Sequence, residues 1–334
     1  MSQDLAATGG ATEVEEQSSS LLSRLLAEIF GTFLLTLVVV GVLVYSPLNA
    51  VGGLGLALGG GFAYIAGAAA VGRVSGAHFN PAISLGAWLG GRITAGNMLS
   101  YWGAQIVGAV LAVAVLFATF PKALLELLKG QNPELANISG VFGSAANGFG
   151  ENSPLYLQTQ GGAQFDLLAA LIVEVIISAV LVGVYLGVHD SRSRVAYAPI
   201  AVGSAIVALT LISWFVTNTG MNPARSTAAA LFANDWGSGG SGRQLWLFWV
   251  APLVGAALAA LFYRAFGSPE PEDLDELDEL DEDDADEIVV VEETEVVVTP
   301  AATTEAEATE AEATKEPAED TADKTAEKKA DDKD

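Results

Sequence analysis

From about residue 22 to residue 266, long apolar stretches alternate with short polar or turn-rich ones. Six stretches, near 22–45, 53–72, 98–120, 166–188, 197–217 and 244–266, are each long enough to cross a bilayer as a helix, which takes roughly 20 residues. The breaks between them hold turn formers, such as Ser46-Pro47-Leu48-Asn49 and His189-Asp190-Ser191-Arg192. The longest connection, 121–165, is rich in Gly, Asn and Ser, and its path does not follow from its sequence. The second stretch contains Gly52, Gly53, Gly55, Gly59, Gly60 and Gly61. Small residues let membrane helices approach closely, so most of these glycines are expected at packing contacts.

Two shorter segments break the pattern. Gly76-Ala77-His78-Phe79-Asn80-Pro81-Ala82 follows the second stretch, and Thr219-Gly220-Met221-Asn222-Pro223-Ala224-Arg225-Ser226 follows the fifth. Each leads into an apolar run, 83–89 or 228–232, that is too short to span. Asn is a strong helix N-cap and Pro is favoured at the first helical position, so each Asn-Pro-Ala predicts the abrupt start of a half-helix. A half-helix that dips to the bilayer midplane aims the positive end of its dipole there. Two such ends repel cations and protons from a pore. The side-chain amides of Asn80 and Asn222 can donate to a passing water oxygen, and a water held this way cannot relay a proton along the file. One Asn-Pro-Ala is a weak signal, but two copies in matching places of two three-span halves are a strong one. Glu28 precedes Asn80 by 52 residues and Glu174 precedes Asn222 by 48, which supports an internal repeat. Three spans per half give the halves opposite membrane topology. The expected fold is an all-α membrane protein with six transmembrane helices and two re-entrant half-helices in an inverted repeat.

Charge divides the chain differently. Residues 1–267 hold 12 acidic and 10 basic residues, whereas residues 268–334 hold 28 acidic residues and five lysines. Three parts follow: a polar N-terminal segment, 1–21; a channel-type domain, 22–266; and an acidic, disordered C-terminal tail, 267–334. The tail's Asp-Glu-Leu repeats and Ala/Thr/Glu/Lys stretch bury too little to offset ordering entropy. The N-terminal segment lacks a basic start and a small-residue cleavage site, so the first span is expected to stay and insert. Arg24, Arg73, Arg92, Arg192, Arg194 and Arg264 fall on one side of the membrane, against Lys122, Lys129 and Arg243 on the other. That bias places both termini in the cytoplasm. There is no cysteine, and His78 and His189 are the only histidines. No metal, cofactor or catalytic constellation is expected, and the acidity argues against nucleic acid.

The chain resembles the aquaporin and glycerol-facilitator family, most closely its prokaryotic water channels. The resemblance rests on Ala27-Glu28-Ile29-Phe30-Gly31-Thr32-Phe33, the segment 75–84, Gly103-Ala104-Gln105-Ile106-Val107-Gly108, Val216-Thr217-Asn218-Thr219 with the second motif, and Leu247-Phe248-Trp249-Val250-Ala251-Pro252, and it covers about 22–266. It implies a homotetramer in the cell membrane with one pore per subunit for water and small neutral solutes. Asn80, Pro81 and Ala82 would meet Asn222, Pro223 and Ala224 at the pore centre. Gly60, Thr210, Thr219 and Arg225 would form the outer constriction. Water channels of this kind usually carry an aromatic at the Gly60 position and a histidine at the Thr210 position, so a wider filter is expected. Ser226, Ala230, Phe248 and Trp249 match the water type instead. The expected compromise is water flow with leakage of a small solute such as glycerol, urea or ammonia.

An intramembrane carboxylate normally has a partner, so Glu28 and Glu174 are expected to support the re-entrant loops by accepting their backbone N–H groups. His78 is expected to line the pore or to be a satisfied buried histidine, and His189 to face solvent. Two readings from other classes stand beside the channel. A coupled secondary transporter shares inverted repeats and broken helices but needs intramembrane ionisable residues for coupling. A closed-pore membrane scaffold would use the acidic tail to recruit partners.

Overall fold

The computed structural model describes residues 19–49, 51–131 and 137–266. Most of the polar N-terminal segment and the whole acidic segment 267–334 therefore lie outside the described residues. The described residues contain no strand. The helices are α1 Leu21–Val44, α2 Ser46–Asn49, α3 Gly52–Ser75, α4 Pro81–Leu89, α5 Ala95–Thr119, α6 Lys122–Gln131, α7 Ile138–Gly143, α8 Pro154–Gln158, α9 Leu167–Val188, α10 Ala198–Thr217, α11 Pro223–Ala233 and α12 Leu247–Phe266. Helices α1, α3, α5, α9, α10 and α12 are long and apolar enough to cross a membrane. In hydrocarbon a helix satisfies its own backbone polar groups, which is why uninterrupted apolar stretches of this length fold this way. Helices α4 and α11 have nine and 11 residues. At 1.5 Å per residue they reach about 14 and 17 Å, roughly half of a 30 Å hydrocarbon core.

Local chemistry sets the ends. Ser20 caps α1 by accepting from the Ser23 N–H, Thr94 caps α5 through Asn97, and Asp166 caps α9 through Ala169. Such caps satisfy N–H groups that have no partner within the helix. Helix α3 stops at Gly76, whose φ of 86° is left-handed, and α10 stops at Asn218, with φ 64°. Gly and Asn are the residues that tolerate this conformation at a helix end. The long connection 121–165, for which the sequence predicts no path, contains α6, α7 and α8.

The two halves repeat each other's packing. Helix α1 packs on α3 and α5, α9 packs on α10 and α12, and α3 meets α10 between the halves. Each half-helix also crosses over, α4 against α12 and α11 against α5. Glycine makes the matching contacts. A Cβ on Gly108 of α5 would stand 2.4 Å from the Ile29 carbonyl oxygen, and one on Gly255 of α12 would stand 2.4 Å from that of Val175. Gly61 and Gly203 play the same part between α3 and α10, each facing the other's carbonyl at under 3 Å from a built Cβ. Small-residue packing is how helices gain contact in lipid, where apolar burial gives no drive. The apolar side chains left outside, such as Leu261 and Phe262 at 68% and 67% exposure, match a lipid solvent rather than water.

Gly108→Val is expected to lower stability by about 3 kcal/mol, the upper end for overpacking, because backbone rather than a movable side chain blocks it. Gly103→Val on the same helix, where a Cβ meets nothing within 4 Å, is the control. Thermal unfolding in detergent compares them; equal midpoints would show that the α1–α5 contact is looser than described.

Candidate functional site

Helices α4 and α11 begin at the two Asn-Pro-Ala motifs. The Asn80 Oδ1 accepts from the Ala82 N–H at 2.9 Å, and the Asn222 Oδ1 accepts from the Ala224 and Arg225 N–H groups at 3.1 and 3.3 Å. Both carbonyl oxygens are thus used as caps, and Pro81 and Pro223 occupy the first helical turn. The amide nitrogens reach across to the other half. Asn80 Nδ2 donates to the Met221 carbonyl, and Asn222 Nδ2 to the Phe79 carbonyl, both at 2.9 Å. A side-chain amide has two N–H donors. Each asparagine spends one on the opposite loop and keeps one for whatever passes between them.

The loops feeding the motifs are strained. Ala77, Phe79, Asn218 and Thr219 have φ of 53°, 51°, 64° and 55°, a region that non-glycine residues rarely adopt. Such strain persists only where the surroundings over-determine it. Glu28 supplies much of that determination in the first loop. Its carboxylate accepts from the His78 N–H at 3.1 Å, the Phe79 N–H at 2.7 Å, the Ser75 hydroxyl at 2.7 Å and Gln105 Nε2 at 2.8 Å. The hydroxyls of Tyr64, Tyr101 and Tyr185 donate to the carbonyls of Ala77, Ser75 and Gly76. In the second loop Glu174 accepts from the Gly220 N–H at 2.7 Å and from the Thr217 hydroxyl. Glycine lets a phenylalanine ring approach in each half: a Cβ on Gly31 of α1 would fall 1.9 Å from the ring of Phe79 in the first loop, and one on Gly220 in the second loop would fall 2.2 Å from the ring of Phe248 of α12.

Between the loops lies a narrow cavity of about 50 Å³. Asn80, Asn222, Gly60, Thr210, Thr219 and Arg225 all line it, with Leu35, Val39, Leu56, Leu181 and Ile206 as apolar wall. One water needs about 10–15 Å³ of such space, so this stretch admits on the order of three to five waters. Gly60 leaves its part of the wall to Val39 and Ile206, whose methyls lie 3.4 and 3.5 Å from a Cβ built there. Arg225 is buried, at 3% exposure. Its Nη1 donates to the Asn147 Oδ1 at 2.5 Å, while Nε and Nη2 have no partner among the described residues.

The sequence profile of the major intrinsic protein family matches residues 15–263. This chain is a member of the major intrinsic protein family. Among curated proteins it is 39% identical to Aquaporin Z of Photorhabdus laumondii subsp. laumondii over 247 residues, which is 73% of this chain and 97% of that protein. It is 40% identical to Aquaporin Z of Brucella melitensis biotype 1 over 247 residues, with the same coverage. The X-ray structure of the aquaglyceroporin from Plasmodium falciparum has the same fold, with a TM-score of 0.58 at 20% identity, over 73% of this chain and 96% of that one.

In this major intrinsic protein the structure adds contacts that the sequence does not predict. Gln105 braces Glu28 and also donates to the Ser84 hydroxyl at 2.9 Å. Trp102 Nε1 donates to the Pro81 carbonyl and Trp249 Nε1 to the Thr227 hydroxyl, both at 2.9 Å, and the two rings meet edge to face. Asn147, from the long connection, holds Arg225 and donates to the carbonyls of Thr217 and Asn218. A single asparagine between Ala146 and Gly148 in a Gly- and Asn-containing connection gives no signal that would single it out. His78 is buried beside the first motif, edge-on to Tyr101 and Tyr185, with Nδ1 3.0 Å from the Ser84 hydroxyl; it is not part of the cavity lining. His189, expected to face solvent, is instead half-buried: it caps α9, and its ring lies tilted against that of Tyr185 with 4.2 Å between centroids. Its Nδ1 lies 2.9 Å from the Tyr185 carbonyl, one turn back on α9, which holds the ring against the helix.

Proposed function

We propose that this chain is a passive transmembrane channel for water that also passes a small neutral solute such as glycerol. The observation that carries the reading is that both motif asparagines and all four expected filter residues share one cavity. Asn80 and Asn222 each offer a free amide N–H at the centre, and the apolar wall between the polar levels offers nothing to bind. A water that accepts from both asparagines has its lone pairs engaged and cannot receive a proton from its neighbour. The dipole ends of α4 and α11, with Arg225 beyond them, oppose cations along the same path. Glu28 and Glu174 support the loops. Arg225 is the ionisable residue in that lining, which favours a channel over an ion-coupled transporter.

The wider filter follows from Gly60 and Thr210, which put no ring into the cavity. The channel unit is residues 22–266, its assembly is a homotetramer in the cell membrane, and the arginine bias puts both termini in the cytoplasm. The test is light scattering from proteoliposomes after osmotic shock, once with sucrose and once with glycerol. Shrinkage much faster than in protein-free vesicles, then re-swelling in glycerol, is expected. Shrinkage at the protein-free rate would sink the channel reading, and saturable or gradient-driven uptake would replace it with a transporter.

A further inference from the structure

Asn147 lies in the connection between α7 and the Gly150–Asn152 turn, far in sequence from either motif. Its side chain is nevertheless buried, at 3% exposure, and every polar atom on it is used. Nδ2 donates to the Thr217 carbonyl at 3.0 Å and the Asn218 carbonyl at 2.9 Å, immediately before Thr219 of the filter. Oδ1 accepts from Arg225 Nη1 at 2.5 Å. The pairing is mutual, because Asn218 Nδ2 donates back to the carbonyls of Ser144 and Ala146 at 3.0 and 3.2 Å.

Arg225 needs this support. A buried guanidinium is costly unless its donors find acceptors. Here Nε and Nη2 have no partner among the described residues, and Asn147 is the acceptor for Nη1. Other groups near the guanidinium are the cavity wall and the carboxylate of Glu174, whose contacts go to Gly220 and Thr217 instead. We infer that Asn147 is a positioning residue for selectivity: it holds the Arg225 guanidinium against the cavity wall and so keeps the filter open. Without it, the strongest remaining acceptor for the guanidinium is water in the cavity. The side chain turns toward that water, and a space of about 50 Å³ cannot hold both the guanidinium and a file of waters. The inference rests on the channel reading above.

The experiment is a double-mutant cycle on unit water permeability in proteoliposomes, using wild type, Asn147→Ala, Arg225→Ala and the double variant. A cycle isolates action through a partner from action on the fold. Asn147→Ala is expected to lower water permeability at least about fivefold when Arg225 is present, and less than about twofold when it is absent. An equal drop in both backgrounds, or none in either, would overturn the proposal; the first means that Asn147 only ties down the loop. If Asn147→Ala yields no folded protein, Asn147→Asp decides. It keeps the acceptor for Arg225 and loses the donors to Thr217 and Asn218, so permeability within about twofold of wild type is expected together with a lower thermal midpoint. A fivefold loss there would overturn the proposal. A wild type with no water permeability fails the channel reading itself and removes the basis of this one, whereas a conducting wild type with a flat cycle fails this one alone.

Discussion

Gly60→Phe is expected to stop glycerol re-entry while leaving water flow. The position can accept a side chain, since a Cβ there meets Val39 and Ile206 at ordinary contact distances of 3.4 and 3.5 Å. Beyond Cβ the open direction is the cavity, so the ring enters the path and narrows it. Water passes a narrowed file; glycerol, which is wider and must exchange several hydrogen bonds, does not. Glycerol permeability should fall at least about tenfold, equivalent to a barrier about 1.4 kcal/mol higher, with water falling less than about threefold. Gly60→Ala adds only the tolerated Cβ and should behave as wild type. Glycerol entry unchanged in the phenylalanine variant would mean that the constriction lies elsewhere.

Glu28→Gln should destabilise more than Glu174→Gln, although the two residues occupy equivalent places in the repeat. Glu28 uses both oxygens, one for Ser75 and His78 and the other for Phe79 and Gln105, and all four partners are donors. A glutamine must turn its NH2 group toward Ser75 and His78 or toward Phe79 and Gln105; the hydroxyl and a flipped amide can accept from it, but the backbone N–H of His78 or Phe79 cannot and is left unsatisfied. For one buried orphan, the loss is about 1–3 kcal/mol. Glu174 uses one oxygen for both Gly220 and Thr217, and its other oxygen has no partner among the described residues. A glutamine can keep its carbonyl where the contacts are, so the change should stay below about 1 kcal/mol. The asymmetry has a visible source. Gly108 and Gly255 mark the register of α5 and α12, and three residues earlier the first has Gln105 where the second has Pro252, which cannot brace a carboxylate. Unfolding midpoints in detergent measure both variants; equal destabilisation would contradict this account.

How much was legible beforehand depended on whether the signal was local. The six spans follow from apolar length, and both half-helices follow from Asn-Pro, where capping and ring chemistry act within three residues. Structure begins each of those helices at the proline itself, Pro81 and Pro223, ahead of the apolar runs that announced them. Glu28, Glu174 and Arg225 were legible because a charge in an apolar stretch demands a reason. The second span's glycines divide: Gly61 packs against Gly203 as small-residue logic expects, whereas Gly60 lines the cavity. Sequence pattern alone cannot separate those uses, because both ask only for a missing side chain. Asn147 was not legible at all. Its contact to Arg225 spans 78 residues and starts from a stretch where asparagine is ordinary. The short helices α6, α7 and α8 were hidden for the same reason, since few turns of helix in a polar connection leave little periodicity to read.

The reciprocal bonds between the two motifs also set a timetable for biogenesis. Asn80 waits for the carbonyl of Met221, 141 residues later in the chain, and Phe79 waits 143 residues for Asn222. At ribosomal speeds of about 5–20 residues per second, the first re-entrant loop spends roughly 7–28 s without its counterpart. The amino-terminal half therefore enters the bilayer as an unfinished piece, and the water path closes into existence only after Met221 and Asn222 have been made. A chain interrupted before residue 221 would be an inserted membrane protein with no completed pore.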